Sequence, residues 1–80
     1  MGAAAERWIV SDPEVLGGKP IIKGTRLSVQ LILGQLARGA SPDELLQEYP
    51  GLTPEGITAA LEYAAEAVGD EVSWDVKLPT

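Results

Sequence analysis

The sequence has no cysteine, no histidine and no phenylalanine, and its aromatics are two Trp and two Tyr among 80 residues. Without cysteine it has neither disulfides nor thiolate metal sites as staples. Without His and Cys it lacks the usual general base, the thiol nucleophile and the common zinc ligands. Catalysis would fall to carboxylates, Lys, Ser or Thr. Carboxylate pairs at helical spacing, such as Glu62 and Glu66, are of the kind that usually marks a solvated surface. Gly17-Gly18-Lys19 lacks the first glycine of a phosphate loop, and no helix follows it. A non-enzyme with no metal and no cofactor is therefore expected. No apolar run approaches the roughly 20 residues of a membrane span, and Met1–Glu6 has no signal-peptide architecture. The expectation is a soluble, cytoplasmic protein without membrane contact.

What is present fits one small domain, residues 1–80. A chain of this length buries only about 60–65% of the surface its unfolded form exposes. Its core is thin, and a partner is expected on that ground alone. The net charge of −6 is unevenly spread. Residues 1–40 carry Arg7, Lys19, Lys23, Arg26 and Arg38 against Glu6, Asp12 and Glu14, a net +2. Residues 41–80 carry Lys77 against nine acids, a net −8. An acidic half repels phosphate backbones, so any contact with nucleic acid belongs to the first half.

Residues 8–27 read as a β arm. Trp8-Ile9-Val10 and Pro20-Ile21-Ile22 are β-favouring runs, separated by Asp12-Pro13 and Gly17-Gly18. Lys23-Gly24 supplies a turn, which places a hairpin over residues 20–27 with Trp8–Val10 as a neighbouring strand. Two short strands are marginal alone, so the hairpin must pack on helices or pair with a second copy.

From Ser28 the period becomes helical, and residues 28–69 read as a three-helix bundle. Val29, Ile32, Leu33 and Leu36 form a stripe between an N-cap Ser28 and a terminal Gly39, predicting a helix over 29–38. Leu31 lies off that stripe and, with Leu27, makes a second apolar face. Ser41-Pro42-Asp43-Glu44 is a capping box with proline in the first turn, predicting a helix over 42–48. Thr53-Pro54-Glu55 repeats the cap and opens a helix over 54–68 that buries Ile57, Ala60, Leu61, Ala64 and Val68. Its alanines let another helix approach closely. The last two helices, joined by Tyr49-Pro50-Gly51-Leu52, match helix-turn-helix packing. Residues 70–80 form a C-terminal tail in which Val72, Trp74, Val76 and Leu78 share one face of a possible strand.

Ser11–Val29, with its Gly18-Lys19-Pro20…Gly24-Thr25-Arg26 spacing, resembles the opening signature of a small prokaryotic family, domain of unknown function 433. Gly39–Leu46, Tyr49–Thr53 and Pro54-Glu55 continue the likeness, which spans about residues 8–68. The resemblance implies a mainly α, homeodomain-like helix-turn-helix fold with three helices behind an N-terminal β-hairpin arm. It also implies a VapB-type antitoxin role: binding and inhibiting a PIN-like ribonuclease toxin and repressing the operon that encodes both. Gly24-Thr25-Arg26 then serves either as a staple of the arm or, with Lys19 and Lys23, as a basic edge.

The third helix fits DNA reading poorly, because it carries Glu55, Glu62 and Glu66 and no Lys or Arg. DNA contact is therefore expected through the basic arm. The residues expected to meet a partner or nucleic acid are Lys19, Lys23, Arg26, Arg38 and Trp74. A homodimer is expected through Ile21, Ile22, Leu27 and Leu31. The competing readings are a DNA-binding regulator acting alone and a homodimeric structural module. A left-handed turn at Gly24 makes one substitution diagnostic. Gly24→Val should cost about 1–3 kcal/mol in a denaturant titration, and an unchanged midpoint would refute the turn.

Overall fold

The structure, a computed structural model, describes residues 3–69. Its elements are α1 (Ala3–Trp8), β1 (Ile9–Ser11), a single 3-10 turn (Leu16–Gly18), β2 (Pro20–Ile22), α2 (Val29–Ala37), α3 (Pro42–Glu48) and α4 (Pro54–Gly69). It is a mainly helical domain with four helices and one two-stranded antiparallel hairpin near its N-terminus.

The strands pair Ile9 with Ile22, Val10 with Ile21 and Ser11 with Pro20. The connection turns at Asp12, whose side chain accepts the Glu14 N–H at 2.9 Å while its carbonyl accepts the Val15 N–H at 2.8 Å. Leu16 then takes a left-handed φ of 52°, an uncommon conformation for a branched side chain. The second turn is the one expected at Gly24, where φ is 80°. Around it the Ile22 N–H bonds the Leu27 carbonyl at 2.9 Å, and an isolated bridge joins Ile21 to Ser28. The staple is Thr25. Its hydroxyl donates to the Ile22 carbonyl at 2.8 Å and accepts the Leu27 N–H at 3.0 Å. Arg26 is exposed.

The helix starts follow their caps. Ser28 accepts the Leu31 N–H at 2.9 Å. Ser41 accepts the Glu44 N–H at 3.1 Å while the Glu44 carboxylate accepts the Ser41 N–H at 2.7 Å, a complete capping box. Thr53 accepts the Gly56 N–H at 3.1 Å. The core gathers Ile22, Val29, Ile32, Leu45, Leu52, Ile57 and Ala60, with Leu27, Leu36, Tyr49 and Tyr63 packed around it.

Three expectations are corrected. Trp8 ends a helix, and the first strand is Ile9–Ser11. Ile21 and Ile22 are 3% and 1% exposed within one copy, so they are core residues and have no surface to offer a dimer. The reason is that β2 packs on α2, while β1 packs on α4 and α1 and keeps its Val10 exposed. Of the expected interface residues, Leu27 packs against the core and Leu31 is half-buried. Third, the buried side of α4 comprises Gly56, Ile57, Ala59 and Ala60, whereas Leu61 and Val68 are exposed. The unexpected α1 accounts for this rotation. It lies against α4, with Ala5 fully buried and its N–H donated to the Glu62 carboxylate at 3.2 Å. A carboxylate there satisfies an orphan donor and the positive end of a short helix.

Gly56 marks the closest approach in the fold. A β-carbon there would meet the Ile22 Cγ2 at 3.1 Å and the Leu52 Cδ1 at 3.3 Å. Gly34 in α2 faces open space, with nothing within 4 Å. The two substitutions to alanine should therefore diverge in chemical denaturation. Gly56→Ala should destabilise by about 1–3 kcal/mol through overpacking. Gly34→Ala should stabilise by roughly 0.5–1 kcal/mol through helix propensity.

Candidate functional site

At 16 residues, α4 is much longer than α2, with nine residues, and α3, with seven. At about 1.5 Å per residue its C-terminal turns outrun the core. The apolar stripe continues there through Tyr63, Ala64, Ala67 and Val68, four positions of one helical face. These residues form one wall of a groove of about 620 Å³. The opposite wall is α2, through Ser28, Val29, Gln30, Leu33, Gly34 and Ala37, and Lys19 and Pro20 at the start of β2 complete the lining. Gly34, Ala37, Ala64 and Ala67 are small, so their side chains leave the space between the walls unfilled. Val68 is 66% exposed at its rim. Lys19 is the one cationic side chain in the lining.

The expected contact residues do not converge on this groove. Lys19 lines it. Lys23 lines a separate hollow of about 330 Å³ with Arg7 and Trp8. Arg38, at the end of α2, lines another with Gln35, Glu44 and Glu48, where neighbouring carboxylates offset its charge. Arg26 is exposed on the Gly24 turn. Trp74 and the tail strand lie outside the described residues. Sequence reasoning noted the alanines of α4 but missed Gly34 and Ala37 facing them. It also missed Arg7 and Trp8 as companions of Lys23, because that grouping depends on α1.

Among the described residues, no polar or charged side chain is buried, and no three acidic residues gather as a metal-ligand group. No helix among them is long and apolar enough to cross a membrane. The arrangement suits recognition: an open apolar groove with a cation at its edge.

A family profile described as "Protein of unknown function (DUF433)" matches residues 9–64. The chain belongs to this family. A DUF433 relative, "Uncharacterized protein y4eO" of Sinorhizobium fredii (strain NBRC 101917 / NGR234), is 39% identical over 62 residues, 78% of this chain and 28% of the relative. The crystal structure of a DUF433 member protein from Anabaena variabilis ATCC 29413 is similar, with a TM-score of 0.69 and 40% identity. That match covers 72% of this chain and 57% of the other. The chain thus spans little more than a quarter of one relative and under three fifths of the other. Arg7 and Trp8 precede the matched segment.

An apolar reporter dye should bind the groove with enhanced fluorescence. Gly34→Leu, which projects a side chain into open space, should reduce that enhancement severalfold without lowering the unfolding midpoint. Unchanged dye binding by a folded Gly34→Leu chain would show that the dye sits elsewhere.

Proposed function

We propose that this chain is an antitoxin-type regulatory protein that binds a PIN-like ribonuclease and holds it inactive. The observation that carries this reading is the apolar groove between α2 and the overhanging end of α4. Grooves of this kind take the apolar face of a partner helix through side chains at helical spacing. Lys19 at the margin suits a partner rich in carboxylates, and a nuclease that holds Mg²⁺ or Mn²⁺ through clustered acids is such a partner. A module of this kind works by occupying a surface. It needs no catalytic group, cofactor or metal of its own, and its place is the cytoplasm.

The same reading includes repression of its own operon. The α3–turn–α4 unit is then a homeodomain-like helix-turn-helix kept as packing. Its second helix carries Glu55, Glu62 and Glu66 and no cation, and Glu62 is turned to the α1 backbone. Carboxylates at the groove-reading position oppose phosphate. Operator contact falls instead to Lys23 and Arg26 beside the Gly24 turn. A homodimer, if it forms, uses surface other than Ile21 and Ile22.

The test is co-expression with the product of the adjacent open reading frame. A complex should co-purify, with its ribonuclease activity suppressed. Ala67→Glu, which places a charge in an exposed part of the groove, should weaken the complex by at least about tenfold and restore RNA cleavage. Undiminished inhibition by a folded Ala67→Glu chain would remove the groove from the mechanism. Sedimentation of the chain alone separates a second copy in the groove from a different partner.

A further inference from the structure

We propose that Arg7, Trp8 and Lys23 form a recognition site for a nucleotide unit, with the phosphate between the two cations and the base on the indole face. These three side chains line one hollow of about 330 Å³, at the lower end of the range for small-ligand pockets. They come from two elements that are pinned together. The Lys23 N–H donates to the Trp8 carbonyl at 2.7 Å, tying the end of α1 to the exit of β2. α1 is itself fixed on α4 by the buried Ala5 and by the Glu62 carboxylate. The hollow is therefore set by backbone contacts rather than by surface side chains finding one another.

Its electrostatics are those of an anion site. Arg7 and Lys23 are both exposed. Two like charges facing one hollow repel, and a phosphate between them relieves that repulsion. The Trp8 carbonyl at the end of α1 accepts the Lys23 N–H. The half-buried indole adds what a simple anion site lacks. Stacking on an aromatic ring beside cations is how proteins hold unpaired nucleotides, and it tolerates any base because each has a π face. A duplex hides those faces, so the site takes a free nucleotide or an unpaired strand.

The proposal needs neither the groove nor a ribonuclease. It shares Lys23 with the operator contact proposed above, and comparing a duplex with a single strand separates the two. Arg7 and Trp8 lie just before the family-matched segment, on α1.

Trp8 can be made the sole indole by Trp74→Phe in the full chain, since the sequence has two tryptophans. At low salt, short oligothymidylate, AMP, a blunt duplex of mixed sequence and inorganic phosphate are titrated while Trp8 fluorescence is read. Saturable quenching by the oligonucleotide, by AMP or by both supports the site and identifies a strand or a free nucleotide as its source. Arg7→Gln and Lys23→Gln should each weaken that binding by about tenfold and flatten its salt dependence. Both variants alter exposed side chains, and circular dichroism checks that they fold. The proposal is overturned by no quenching at low salt, by equal quenching with inorganic phosphate, by duplex binding that leaves Trp8 silent, or by quenching that survives both substitutions.

Discussion

The packing of α4 against α1, α2, α3 and β1 organises this domain. At Gly56 the helix settles closely against Ile22 and Leu52, where a β-carbon would sit a tight 3.1 and 3.3 Å from their side chains. That contact joins the hairpin to the helical core, because Ile22, Leu52 and Ile57 belong to one buried cluster. A thin core can hold four helices because one of them, α4, serves as the common support.

Much of this was legible in the sequence, and the legible parts share a cause. Ser28, Ser41 and Thr53 are local caps, and Pro42 and Pro54 are local start signals, so α2, α3 and α4 could be placed almost to the residue. Gly24 and Thr25 act within their own turn, and their roles were readable for the same reason. What could not be read depends on distant partners. α1 has six residues and three consecutive alanines, with no apolar stripe of its own; its support is a carboxylate 57 positions away. Because α1 was invisible, the burial of Ala59 and the outward turn of Leu61 were invisible too. Ile21 and Ile22 were read as interface because a hairpin seen alone has a spare face. In the fold α2 packs on β2, and both isoleucines are buried.

The candidate site follows the same division. Small residues in α4 were apparent, but that they face Gly34 and Ala37 across an open groove is a tertiary fact. The charge asymmetry was plain in the composition, yet the structure sends its cations to different places. Lys19 borders the groove, Arg38 sits among carboxylates, and Lys23 joins Arg7 and Trp8. A basic half of a sequence is therefore not one basic surface.

Gly34, Ala37, Ala64 and Ala67 line the groove without belonging to the buried cluster that holds the fold together. Gly34 has empty space where a side chain would go. Recognition and folding thus draw on different residues, joined mainly at Val29, which serves both. Duplicated copies of such a chain could drift at these small positions, each narrowing or reshaping its groove for a new partner, and remain equally foldable throughout. In so small a domain, that separation is a route to insulated pairings that do not cross-react.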